Sequence, residues 1–156
     1  MRWSSGGPAK ARRISRLTPL GGLSSPALLY LGVDEDAKHV LFLLGSTATS
    51  IGEAECPDAD CRVISLARGD SQIVDLQPAG AQPAQFQLEL VSVERDELSS
   101  AARASKSRAE EHPDGRDILR SLIKDAAVAR VMGTFAFDRG KGVMVQAAPS
   151  PPVAAP

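Results

Sequence analysis

The sequence predicts a small, mainly β chain with an appended helical segment, an α+β protein whose β part forms a small sandwich or an open barrel. Three observations carry that expectation. Between Ala27 and Val93, short segments are either wholly apolar or alternate apolar with polar residues, and turn-forming residues separate them. From Arg116 to Met132 the apolar spacing changes to that of a helix. The two ends have the composition of linkers, so the folding part is expected to be one modest domain of about 120 residues.

Residues 1–25 combine Gly6, Gly7, Pro8, Pro19, Gly21 and Gly22 with five positive charges, and read as a flexible basic linker. A secretory signal needs an apolar stretch before a small-residue cleavage site. This segment has none, so an export signal is expected only upstream of Met1. The cluster Arg12-Arg13-Ile14-Ser15-Arg16 reads as solvated linker charge rather than as a phosphate or lipid contact.

Residues 26–96 form the expected β-rich domain. The run Ala27 to Val33 reads as a buried strand and Val40 to Leu44 as a second, joined in a hairpin through Asp34-Glu35-Asp36. That acidic turn lacks the alternating ligands and the later glutamate of a calcium-binding loop. Gly45 to Glu55, rich in Ser, Thr and Gly, reads as a connection into the cysteine segment. Arg62 to Ala67 and Ser71 to Leu76 read as strands three and four, a second hairpin turning at Arg68-Gly69-Asp70 with its base tied by the cysteines. Arg68-Gly69-Asp70 is also an adhesion tripeptide, but Gly-Asp is ordinary turn chemistry. After the loop Pro78 to Pro83, Phe86, Leu88 and Leu90 alternate with Gln87 and Glu89 in a fifth strand.

Residues 97–114 read as a polar helix or linker, since Leu98 is the only large apolar residue between Glu97 and Glu111. Residues 115–146 read as an amphipathic helix and a short hairpin. In the helix, Arg116 to Met132, the residues Ile118, Leu119, Leu122, Ile123, Ala126 and Ala129 share one face. That face is expected to pack on the sheet. The sharper alternative is docking in a partner's groove, for which Ile118, Leu119, Leu122 and Ile123 are the candidates. The hairpin is expected from Gly133 to Phe137 and Gly142 to Gln146, and the tail 147–156, built of Ala, Pro, Ser and Val, to be disordered and extended.

Function is constrained mainly by exclusion. Eighteen basic and 19 acidic side chains nearly cancel, removing the general attraction that a nucleic-acid binder has for its polyanion. No stretch approaches the roughly 20 apolar residues of a membrane-spanning helix. The two histidines, His39 and His112, stand in unrelated contexts, and no Gly-x-Ser-x-Gly elbow, phosphate loop or dinucleotide fingerprint occurs. No catalytic, cofactor-binding or metal-binding residue is therefore predicted, and the chain is not expected to be an enzyme.

Cys56 and Cys61 flank Pro57-Asp58-Ala59-Asp60. Zinc would need about four ligands, and a thioredoxin-like pair would have two intervening residues and a following helix. A structural disulfide, which requires an oxidising compartment, and a pair of reduced, inert thiols in the cytosol are the remaining readings.

Taken together, Arg16-Leu17-Thr18-Pro19-Leu20, Leu29 to Val33, Val40 to Leu44, and the Cys56-Pro57 to Cys61 segment with Leu66 and Gly69 behind it are familiar. Over about residues 16–94 the chain resembles the extracytoplasmic C-terminal region of uncharacterised actinobacterial envelope proteins associated with type IV pilus gene sets. The resemblance implies a small β-domain following a membrane-spanning helix, which is not found in this sequence. It also implies a disulfide outside the membrane, and a scaffolding or alignment role in a pilus or secretion assembly. The expected function is thus a non-enzymatic interaction module of the bacterial cell envelope, with a protein partner. The alternative is a cytosolic regulatory or binding domain that contacts its partner through the helix 116–132.

Overall fold

In the computed structural model the described residues are 2–4, 10–11, 16–21, 26–34, 38–57, 61–77, 82–91, 114–138 and 143–146. In chain order the elements are β1 (Arg2–Ser4), β2 (Lys10–Ala11), β3 (Pro19–Leu20), β4 (Leu28–Val33), β5 (His39–Leu44), β6 (Ala48–Gly52), β7 (Val63–Ala67), β8 (Ser71–Leu76), β9 (Ala84–Glu89), α1 (Gly115–Ile123), α2 (Ala126–Met132), β10 (Phe135–Asp138) and β11 (Val143–Gln146).

The Leu-, Val- and Phe-rich segments β4 and β5 suit a pleated, buried surface. They pair antiparallel, with Leu28 opposite Leu44 and Val33 opposite Val40. β7 adds to the far side of β5 and β3 to β4, so the inner sheet runs β3-β4-β5-β7. The outer sheet runs β2-β1-β9-β8-β6, every neighbouring pair antiparallel. β10 and β11 form a separate antiparallel hairpin. Among the described residues the protein is thus mainly β with two helices, and its sheets are not closed into a barrel.

Side-chain parity divides the apolar residues into two cores. On the inner sheet Leu28, Val40, Phe42, Leu44, Ile64 and Leu66 meet Ala48, Val74, Leu76, Phe86 and Leu88 of the outer sheet. The opposite face of the inner sheet presents Leu29, Leu31, Leu41, Leu43 and Val63 to Val128 and Val131 of α2 and to Met144. The inner sheet is therefore covered on both faces, which is why β4 and β5 read as continuous apolar runs. One irregularity keeps this sorting intact. The register with β5 shifts between Tyr30 and Gly32, and Gly32 takes φ +138°, a conformation L side chains rarely adopt. The extra residue resets the alternation, so that Leu31 stays on the helix side and Val33 returns to the core between the sheets.

The structure corrects several expectations. β7 and β8 are not a hairpin: they lie in different sheets, and Arg68-Gly69-Asp70 carries the chain across the sandwich. Gly69 there has φ +88°, and the Asp70 carboxylate accepts from the Ala67 N–H at 2.9 Å. The turn chemistry is the expected one, but Leu66 and Val74 face each other through the core instead of sitting side by side. The connection Gly45 to Glu55 contains β6. The segment 1–25, expected as a linker, supplies β1 and β2 to the outer sheet and β3 to the inner one, with Leu17 and Leu20 buried. Strands of two or three residues draw their order from the neighbours they pair with, so composition does not reveal them.

The single helix expected over 116–132 is two. Asp125 takes an extended conformation (ψ 126°) and its carboxylate accepts from the Ala127 N–H at 2.9 Å, capping α2 and breaking the line of α1. The break moves the buried face of α2 to Val128 and Val131, leaving Ala126 and Ala129 exposed. α1 starts directly on the backbone of Leu17, where a Cβ on Gly115 would lie 2.0 Å from the Leu17 carbonyl oxygen. The linker or helix expected at 97–114 and the tail 147–156 fall outside the described residues, Asp114 excepted.

Candidate functional site

The cysteine pair sits where the two sheets are joined at one corner. After β6 leaves the outer sheet, the Glu53 N–H donates to the Ser71 carbonyl and its carboxylate accepts from the Ser71 N–H at 2.8 Å. The Ala54 N–H donates to Oε1 of Gln72, a buried side chain. One residue later the chain has crossed: Glu55 and Ser65 of β7 exchange both backbone hydrogen bonds, at 2.9 and 2.8 Å. Cys56 follows and is bridged to Cys61, with Cα atoms 4.9 Å apart. Cys61 has φ +52°, and the next residue, Arg62, donates to the carbonyl of Gly45 at 3.0 Å. The bridge thus fastens the start of β7 to the strand that spans both sheets. With both sulfurs in a disulfide, neither is a thiolate available to a metal.

The same crossing leaves β6 on the rim of the outer sheet. Its outward-facing residues Thr49 and Ile51 stand opposite Asp75 and Ile73. Ile51 is 70% exposed and Ile73 43%, so a cross-strand pair of large apolar side chains lies in water on a face otherwise made of residues such as Gln85 and Gln87. On the inward side, the Ser50 hydroxyl is buried without a hydrogen-bond partner among the described residues. Ala48-Thr49-Ser50-Ile51-Gly52 has the composition of a connection, which hides this site in the sequence. Its only signal was an isolated isoleucine between polar neighbours.

The helix candidates divide. Ile118, Leu119 and Leu122 are half-buried and pack against the helix-side core around Leu29, Leu31 and Leu43. Ile123, at the end of α1, is 38% exposed. Most of the apolar face thus serves the chain's own core, and Ile123 is the member turned to solvent.

Asp34 and His39 close the β4–β5 hairpin. The Asp34 carboxylate accepts from the backbone N–H groups of Lys38 (2.9 Å) and His39 (3.1 Å) and lies 2.9 Å from His39 Nδ1. Burial pushes its pKa up, but the hydrogen bonds from the His39 backbone and ring and the Lys38 backbone outweigh this and hold it below the ordinary value. The arrangement satisfies the backbone N–H groups of the loop. His112 lies outside the described residues. Among the described residues no three His, Cys, Asp or Glu side chains converge to hold a metal ion, and no helix is long and apolar enough to cross a membrane.

No protein-family model, curated protein or solved structure matches this chain.

Proposed function

We propose that this chain is a non-enzymatic interaction module of the bacterial cell envelope, a scaffold within a pilus or secretion assembly. The Cys56–Cys61 bridge carries the reading. Disulfides persist in oxidising compartments and are rare where glutathione and thioredoxin keep thiols reduced. The resemblance of residues 16–94 to the extracytoplasmic region of actinobacterial envelope proteins supports the compartment and suggests the assembly. The exposed Ile51–Ile73 pair supports the interaction role, because it sets two large apolar side chains side by side on a face that is otherwise polar. Intact mass of the protein from its native host, alkylated with and without reduction, combined with cell fractionation, tests this. A bridged pair in the envelope fraction supports it; two free thiols in a cytosolic pool refute it.

A second reading has its own observation. Ile123 reaches solvent beside the half-buried Ile118, Leu119 and Leu122, as expected if α1 also touches a partner in a cytosolic regulatory or binding domain. Because Leu122 belongs to the core, Ile123→Asp is the cleaner probe. Loss of a co-purifying protein with unchanged circular dichroism supports this reading, and unchanged binding counts against it.

A further inference from the structure

A sheet edge presents a row of unpaired N–H and C=O groups, and proteins blunt such edges with short strands, charges, proline or covering segments. Three of the four edges of the two packed sheets are treated in this way. β2 has two residues, one of them Lys10, and β3 has two, one of them Pro19. The open side of β7 is taken at Ser65 by Glu55, next to the Cys56–Cys61 bridge. The fourth edge, β6, has five residues, no charged side chain and no proline. Its register with β8 is unbroken from Ala48 opposite Leu76 to Gly52 opposite Gln72.

Hydrogen-bond parity decides which groups look outward. The Gln77 N–H donates to the Thr47 carbonyl and the Glu53 N–H to the Ser71 carbonyl, so the odd-numbered residues of β6 bond to β8. The N–H and C=O of Ser50 and Gly52 and the C=O of Ala48 therefore face the open side, with no backbone partner among the described residues; the Ala48 N–H is taken by the Gly45 carbonyl. Beside this row stands Ile51, the most exposed of the large apolar side chains described.

We propose that β6 is a self-association edge, on which a second copy of this chain pairs antiparallel about a two-fold axis at Ser50, joining two outer sheets into one. The inference rests on the interaction-module reading and names its partner. Two-fold pairing sets the strand against itself: Ser50 meets Ser50, Thr49 meets Ile51 and Ala48 meets Gly52. A strand carrying charge would set like charges close together across such an axis, which destabilises a sheet. Ala48–Gly52 carries none, so nothing on it repels its own copy. The outward groups match as well. Each Ser50 N–H reaches the partner's Ser50 carbonyl, and each Gly52 N–H reaches the partner's Ala48 carbonyl. On the outer face, each Ile51 then lies against the partner's Thr49 and is drawn out of water.

Sedimentation and light scattering on the full-length chain across a range of concentrations test this. The expected result is a concentration-dependent monomer–dimer equilibrium that Ile51→Lys weakens by about tenfold or more, a charge on each copy now meeting its twin's edge. Ser50→Pro removes an outward N–H while leaving the β8 ladder whole, and has the same effect. Both variants keep the wild-type circular dichroism, and they melt as the wild type does at concentrations where it is monomeric. A chain that stays monomeric at every concentration, or a dimer that both folded variants leave unchanged, overturns the proposal. The parent reading fails separately. An envelope-located chain that is monomeric but crosslinks through position 51 to a different protein refutes the second copy alone, whereas a cytosolic dithiol chain refutes the envelope reading whatever its oligomeric state.

Discussion

The inner and outer sheets of this protein use the same antiparallel chemistry for opposite ends. β4 and β5 are buried on both faces, and the side chains of Leu28, Leu29, Leu31 and Leu43 are completely removed from water. β8 and β9 are buried on one face only, with Val74 and Leu88 inside and Ile73 and Gln87 outside. The contrast places most of the stability in the inner sheet and most of the accessible chemistry in the outer one. A residue covered from both sides contributes about 1.5–3 kcal/mol of burial and tolerates little change. A residue on the outer face is free to be chosen for something other than folding.

Substitutions that probe each sheet in turn test this division. Leu43→Ala, in the helix-side core, is expected to lower unfolding free energy in urea by about 2–5 kcal/mol. A loss no larger than that of an outer-face substitution would break the comparison. Replacing Cys56 and Cys61 by serine, or reducing them, releases the corner where the sheets are tied and is expected to cost about 2 kcal/mol, as for a short closed loop. The reduced wild type and the double serine variant should melt together if the bridge acts as a simple tie. A smaller effect belongs to the β4–β5 turn. Because the pKa of Asp34 is depressed in the folded state, its contribution is complete above the ordinary aspartate value of about 3.9 and is lost as pH falls through the lower folded value. Asp34→Ala should therefore flatten the acid limb of stability against pH, and an unchanged limb would remove the turn from the account. Ile73→Thr, on the outer face, is expected to change stability by no more than about 0.5 kcal/mol, as usual for surface sites.

The two sheets were also unequally legible. β4 and β5 could be read from their apolar runs and β9 from its alternation, because hydrophobic period reports directly which faces are covered. β6 was not legible: Ala-Thr-Ser-Ile-Gly holds one strongly apolar residue, and its extended state is imposed by the ladder with β8. β1 to β3 were hidden for the same reason. At the candidate site, the closeness of Cys56 and Cys61 made a disulfide one reading among several, and the folded positions of the two residues show them bridged. The exposure of Ile51 followed from nothing local, since it depends on which strand is last in the sheet.

What the sequence determined by itself was the mainly β character, the strands with a strong apolar period, the turn at Arg68-Gly69-Asp70 and the presence of helix after Pro113. What the tertiary structure decided was partnership. It sent β7 and β8 to opposite sheets, recruited the segment before Ala27, split the helix at Asp125 and put β6 last in the outer sheet. The physical reason is that side chains encode burial, whereas the backbone hydrogen bonds that join strands are the same for every sequence. Which strands share a sheet is settled only when all the apolar faces are covered together.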